Sequence, residues 1–343
     1  MRAAGLRLSF MSNHVSKFRV FWDSAGMLVV FAVLFLLCSL RVEYFFSAKN
    51  MEGLLLSVAT TGTIACTMLF CLASGAFDLS VGSVVACAGV VTAVVMNRTD
   101  SMTLGILAGL SLGVLVGLVN GLLIAKAGIN ALIATLATMQ IVRGAGYIVS
   151  GGRSVGINNQ RFFVLGNQVV FPIPAGTNAF THQPEYLNIT TPVVMCLACF
   201  LIFGFLISRT TFGRNTLAIG GNAEAARLAG IPVDRVKIII FTLQGLVAAA
   251  AGLVLCSKFT SGQPTTSEGL ELEVISACVL GGVSLNGGVG QMSHVVAGVL
   301  IMGTVQNAMN LSNVGSFWQY VARGLILLAA VGVDRLKQRG AGR

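Results

Sequence analysis

Long apolar segments constrain this chain more than any other feature of its sequence. A helix that crosses a bilayer needs about 20 mainly apolar residues. The sequence offers ten such segments, at about 25–42, 52–73, 79–97, 103–126, 130–150, 191–208, 237–257, 271–286, 292–310 and 317–334. Only 10% of the 343 residues are charged, whereas a soluble domain carries about 25%. The predicted fold class is therefore all-α, a polytopic membrane protein of about ten transmembrane helices.

Basic residues predict how the chain is oriented in the membrane. If both termini are cytoplasmic, the cytoplasmic segments hold fourteen Lys and Arg residues and the opposite side holds six. Loops rich in Lys and Arg stay inside, so we expect a cytoplasmic segment 1–24, a membrane domain 25–334 and a cytoplasmic tail 335–343. Loop 151–190 is then outside and loop 209–237 inside. The net charge of +10 is thus a topology signal, and no basic-aromatic cluster predicts nucleic-acid binding.

The polar segment 211–237 predicts a short helix between two membrane spans. Asn222 suits the N-cap, and Glu224 suits the first turn, where the helix dipole favours a carboxylate. Gly230 suits the left-handed position after the helix, and Pro232 prevents its continuation. The helix has about two turns, whereas an isolated helix needs roughly 12 to 15 residues to be even marginally stable. Two interpretations stay open: a docking element for another protein, or a connector lying on its own membrane domain.

Glycines inside the apolar segments predict close helix packing. Five of them are spaced four apart on one helix face: Gly105, Gly109, Gly113, Gly117 and Gly121. Such a stripe lets two helix backbones approach each other. Two further segments, LASGAFDLSVGSVVACAGVV from Leu72 and VLGGVSLNGGVGQMSHVVAGVL from Val279, each contain a glycine-rich break between helices. They favour two five-helix halves, with chance similarity as the alternative.

Polar side chains within the apolar segments are candidates for a translocation path. These are Asp78, Ser80, Asn120, Gln140, Arg143, Gln244 and Asn307. A carboxylate near the bilayer centre costs roughly 2.5 to 3.5 kcal/mol on insertion scales, so Asp78 needs partners. Either Asp78 or Ser80 caps the next helix, which is the favoured interpretation, or Asp78 lines a path or gate. The uncharged amides suit a hydroxyl-rich neutral solute, and hydrogen bonds between helices explain them almost as well.

The sequence lacks the motifs of nucleotide-hydrolysing and zinc-dependent enzymes. It contains no GxxxxGK[ST] or HExxH motif, and we expect neither nucleotide hydrolysis nor covalent catalysis by this chain. Cys196 and Cys199 form a CxxC inside an apolar span, which is a weak metal signal, and we expect no metal site. Energy for any active transport must come from a partner or from an ion gradient.

Six stretches resemble the permease subunits of sugar-type ABC importers of the ribose, xylose and arabinose branch. They are GMLVVFAVLF from Gly26, MLFCLASGAFDLSVGSVVACAGV from Met68, GLVNGLLIAKAGINALIATLATMQIVRG from Gly117, TTFGRNTLAIGGNAEAARLAGIPV from Thr210, TSGQPTTSEGLELEVISACVLGGVSLNGGVG from Thr260 and YVARGLILLAAVGVDRLKQ from Tyr320. Two departures are Ala76 in SGAFDLS and a long 151–190 loop. The second puts the fit to a binding protein in doubt.

The resemblance implies a membrane core of two permease subunits in a bacterial inner membrane, as a homodimer or a heterodimer. Two ABC ATPase subunits would use ATP and Mg²⁺ at its cytoplasmic face, this chain itself binding no cofactor, and a periplasmic sugar-binding protein would deliver a monosaccharide. L-arabinose is the expected sugar, with ribose, xylose, galactose or another sugar as alternatives. The implied ATPase-coupling residues are Gly213, Arg214, Gly220, Asn222, Glu224, Ala225, Ala226 and Gly230.

A rival from another class is an ion-gradient-driven secondary transporter or channel. It would need a charge relay within the membrane, and Asp78 with Arg143 is the candidate pair.

Overall fold

The protein is a bundle of apolar helices joined by short connections. The computed structural model describes residues 26–177 and 184–341, without the side chains of 333–341. The helices are α1 Gly26–Arg41 and α2 Ala48–Ala73, α3 Val81–Thr99, α4 Met102–Ala125, α5 Ala131–Ser150, α6 Val164–Asn167, α7 Thr191–Arg209, α8 Thr211–Gly221, α9 Ala223–Leu228, α10 Val233–Lys258, α11 Leu270–Gly281, α12 Met292–Leu311 and α13 Ser316–Ala341. The predicted N-terminal segment 1–24 and the last two residues of the tail lie outside the described residues.

Within the described residues, seven helices are long and apolar enough to cross a membrane: α2, α3, α4, α5, α7, α10 and α12. Shorter apolar stretches lie at Gly26–Arg41 and Ser316–Gly332. The all-α, polytopic membrane fold is confirmed, and helices occupy all ten predicted segments.

One predicted span is wrong in its extent. Segment 271–286 was expected to cross the membrane, but α11 ends at Gly281 after 12 residues. At 1.5 Å per residue it is about 18 Å long, against a hydrocarbon core of about 30 Å. Gly282, with φ +110°, turns the chain away from the helix. The 282–291 connection continues as non-helical backbone that is partly packed against the protein, with Val283, Ser284 and Gly290 buried.

The glycine stripe of α4 packs as predicted. All five of its glycines are buried. Gly105 lies against Met96 of α3, while Gly113 and Gly121 lie against the backbone of α10. A Cβ on Gly121 would lie 2.8 Å from the Cα of Ile238, so the two backbones are in direct contact. This close packing of α4, α3 and α10 supports the helices that carry the candidate site.

The loop 151–190 contains small β elements, which the sequence interpretation did not place. Strands β2 Val169–Thr177 and β3 Pro184–Thr190 pair antiparallel, and β1 Val155–Gly156 pairs with β4 Ser261–Gly262. All nine residues of β2 are exposed. The loop is attached to the helices through a fully buried Phe162, whose carbonyl accepts a 2.7 Å hydrogen bond from the Ser257 hydroxyl.

Candidate functional site

The predicted short helix in the polar segment is present as α9. The backbone N–H of Ala225 donates to Oδ1 of Asn222 at 2.9 Å, and Glu224 lies in the first turn. At the other end, Gly230 has φ +84°, and Ile231 N–H donates to the Ala226 carbonyl at 3.0 Å. This is the Schellman arrangement that glycine favours. The N-cap and the C-terminal stop predicted from sequence are both confirmed.

A second helix, α8, precedes α9 and was missed by the sequence interpretation. Thr210 is its N-cap and accepts from Gly213 N–H at 3.3 Å. Its buried residues are Gly213, Thr216 and Ile219, a spacing of three that is the helical signal for one apolar face. A Cβ on Gly213 would overlap the carbonyls at the end of α7. Gly213 therefore allows the tight α7–α8 corner.

The α9 helix exposes one side and buries the other. Glu224, Ala225, Arg227 and Leu228 are exposed, and Leu228 is 89% exposed while Ala226 is 5% exposed. Of the predicted coupling residues, Arg214, Asn222, Glu224, Ala225 and Gly230 are thus accessible to a partner. Gly213 and Ala226 instead pack against this chain and hold the segment in place.

Ion pairs attach α9 to the membrane helices. Asp234, at the start of α10, lies 3.3 Å from Nη2 of Arg227 and 3.1 Å from Nζ of Lys126. Each exposed pair contributes little, about 0–1 kcal/mol, so together they orient α9 more than they stabilise the fold. A cleft of about 390 Å³ opens beside them, lined by Asn130, Glu224 and Lys237 among others.

Three of the predicted path residues form one buried network. Oδ1 of Asp78 accepts from the Ser80 backbone N–H at 2.8 Å and from its hydroxyl at 2.6 Å. Nδ2 of Asn120 donates to the Ser80 hydroxyl at 3.0 Å. Asp78 lies in the connection between α2 and α3 and is 1% exposed. Asp78 thus forms a local turn that bonds the backbone two residues on. It does not cap α3 itself, because the N-cap residue is Ser80, which makes no side-chain cap bond, so the predicted capping of this helix is wrong.

Substitution of Asp78 separates its hydrogen-bonding role in the turn from a role of its charge. Asp78→Ala leaves a buried N–H and hydroxyl without their acceptor, which costs about 1–3 kcal/mol. Asp78→Asn keeps Oδ1 as an acceptor and loses only the charge. We expect D78A to lower the unfolding temperature in detergent, and D78N to retain near wild-type stability and uptake. A stable D78N protein without uptake would instead assign the charge to a path or gate.

The other predicted path residues do not join this network. Arg143 donates from Nη1 to the carbonyls of Pro264 and Thr266, each at 2.9 Å. Asn307 exchanges hydrogen bonds of 2.8 and 2.9 Å with Asn50 of α2. Gln244 is fully buried, and among the described residues neither of its amide atoms has a partner. Gln140 is exposed.

A membrane-embedded ion pair was not predicted as a site. Nη1 of Arg323 in α13 lies 3.4 Å from Oε2 of Glu273 in α11, and the Thr61 hydroxyl of α2 donates to Oε1 of Glu273 at 2.9 Å. The sequence signal was the group of three glutamates, Glu268, Glu271 and Glu273, at the start of an apolar segment. No ion pair joins Asp78 to Arg143 within the described part of the chain.

The CxxC sulfurs pack among apolar groups. A Cβ on Gly62 of α2 would lie 2.8 Å from Sγ of Cys196. Over residues 26–177 and 184–341, no group of three or more His, Cys, Asp or Glu side chains could hold a metal ion.

Comparisons with known proteins match nearly the whole chain. A family model described as branched-chain amino acid transport system / permease component matches residues 50–331. The L-arabinose transport system permease protein of Escherichia coli (strain K12) is 62% identical over 93% of this chain and 92% of its own. The L-arabinose ABC transporter permease protein of Azospirillum brasilense is 51% identical over 92% and 88%. The ribose import permease protein of Bacillus subtilis (strain 168) is 39% identical over 89% and 90%. No solved structure matches significantly.

Proposed function

We propose that this chain, which belongs to the family of branched-chain amino acid transport system permease components, is the membrane-spanning subunit of an ATP-driven monosaccharide importer. Its sugar is L-arabinose. The observation that carries this proposal is the identity with L-arabinose permeases along nearly the full length of both chains. Ribose permeases match more distantly, so ribose or another monosaccharide is the alternative cargo within the same branch.

The energy for import comes from partner subunits. ABC ATPase subunits bind ATP and Mg²⁺ and dock on the exposed side of α9, at Glu224, Ala225 and Leu228. Support for this docking comes from the short capped helix itself, because its exposed Leu228 would gain free energy from burial in a partner. ATP binding displaces α9 and shifts the membrane helices between inward-open and outward-open arrangements. A periplasmic binding protein delivers the sugar at the opposite face.

The permease subunit works as a pair, with a second copy of this chain. Support comes from α5, where Gln140 is exposed among exposed apolar side chains such as Ile133 and Ile141. A hydrogen-bonding amide is poorly accommodated in hydrocarbon and suits contact with protein or an aqueous path. Both termini are cytoplasmic in this arrangement, as the distribution of Lys and Arg favours. Native mass spectrometry of the purified complex distinguishes a homodimer from a heterodimer.

Uptake measurements test the proposed function directly. We expect cells that lack their own arabinose uptake to accumulate labelled L-arabinose when this chain is expressed with its ATPase and binding protein. An ATPase variant that cannot hydrolyse ATP should abolish the uptake, and unlabelled L-arabinose should compete better than ribose, xylose or galactose. Uptake that is unchanged with the ATPase variant but stops when the ion gradient is collapsed would overturn the proposal in favour of a secondary transporter.

A further inference from the structure

Two non-helical breaks in the membrane domain meet at the end of α8. The first follows α2 at Ala73, and the second is the 282–291 connection after α11. The Gly288 backbone N–H donates to the Ala73 carbonyl at 2.9 Å, which joins the two breaks. A Cβ on Gly220 of α8 would overlap both Ala73 O and Gly288 N, and one on Gly287 would lie 2.8 Å from Gly220 O. We call these four residues, Ala73, Gly220, Gly287 and Gly288, the glycine junction.

Contact at the glycine junction is made by backbone rather than by flexible side chains. Gly287 and Gly288 have φ of +84° and +75°, a conformation that residues with a side chain rarely adopt. Because no side chain lies between the segments, a displacement of α8 cannot be absorbed by a change of rotamer. Tightly packed contacts of this kind transmit strain.

Each break leads to a polar group inside the membrane domain. The connection after Ala73 contains Asp78, whose network includes Asn120 of α4. The 282–291 connection follows α11, which carries the Glu273–Arg323 ion pair. The end of α8 therefore contacts two connections, of which one leads to Asp78 and the other follows the helix that carries Glu273.

We infer that the glycine junction is the point at which displacement of α9 by the ATPase subunits reaches the membrane helices, and that Gly220 is its positioning residue. This inference rests on the proposed function. The α9 helix follows α8 directly through Asn222, which is at once the C-cap of α8 and the N-cap of α9. A movement of α9 therefore displaces the end of α8, and the junction passes the movement to both breaks.

A pair of neighbouring glycines provides the test. Gly220→Ala forces the junction apart, whereas a Cβ on Gly221 would meet no atom within 4 Å. With the full complex in proteoliposomes, we expect G220A to bind the ATPase normally, yet to lose uptake by at least about tenfold. ATP hydrolysis by the ATPase subunits of the G220A complex should no longer rise when the sugar-loaded binding protein is added. The G221A complex should match wild type in uptake and in ATP hydrolysis. G220A with wild-type uptake would overturn the inference, as would G220A that fails to bind the ATPase.

Hydrogen exchange in the wild-type complex decides the question if G220A fails to fold. The Gly288 N–H donates to the Ala73 carbonyl, and the junction should move as a closed unit. We therefore expect this N–H to stay protected from exchange both with and without ATP. Rapid exchange of the Gly288 N–H in either state would overturn the inference.

These experiments distinguish failure of the inference from failure of the proposed function. If the proposed function is wrong, the wild-type chain itself will neither bind the ATPase nor depend on it for uptake.

Discussion

Leu228→Glu is expected to separate the chain from its ATPase subunit and abolish sugar uptake. Leu228 is 89% exposed on the six-residue helix α9, so the substitution removes no contact within the described chain. Full burial of a leucine in a partner contributes roughly 1.5–3 kcal/mol, and burial of an unpaired carboxylate in its place is opposed by several more. Binding should weaken at least about 100-fold, because each 1.4 kcal/mol is a factor of ten.

Co-purification of the ATPase with the tagged permease measures this effect, together with uptake in proteoliposomes. Ala218→Glu is the matched control, since Ala218 is exposed on α8 and outside α9. It adds the same charge to the same 209–237 loop, and we expect it to retain the ATPase. An L228E permease that co-purifies with a full complement of ATPase would show that α9 is a passive connector.

Gly113→Val is expected to prevent stable folding of the membrane domain. A Cβ at this position would overlap the Gly245 carbonyl and the Ala249 side chain of α10. Two helix backbones would have to separate, and α10 makes its most extensive helix contact with α4. Overpacking of a tight core commonly lowers the free energy of unfolding by about 1–3 kcal/mol and occasionally more. Because the new side chain would overlap both a backbone carbonyl and a side chain, we expect a loss at or above the upper end of this range.

The amount of protein in the membrane and its unfolding temperature in detergent measure the effect of G113V. Gly144→Val is the matched control, because Gly144 also lies within a helix, α5, and a Cβ there meets nothing within 4 Å. We expect G144V to express and unfold like wild type. Equal stability of the two variants would mean that α4 and α10 are not packed through the glycine stripe.

Much of the fold and part of the candidate site could be predicted from the sequence. The caps of α9 were predictable because Asn222 bonds to a residue only three positions away and Gly230 sets its own backbone angle. The Asp78 turn is equally local, since its partner is Ser80. The end of α11 was not predicted, because the glycine-rich break from Val279 does not show by itself at which glycine the helix ends. The proposal of two five-helix halves stays a prediction.

The sequence by itself determined the membrane class, the positions of the apolar helices and the capped helix α9. These depend on the length of apolar runs and on hydrogen bonds within one turn, which are properties of neighbouring residues. Only the tertiary structure decided which distant groups meet. Asn50 pairs with Asn307 across 257 positions, Glu273 lies beside Arg323, and Gly220 fits against Ala73 and Gly288. Such contacts are set by how the helices pack, and packing depends on the fit of whole surfaces rather than on local sequence.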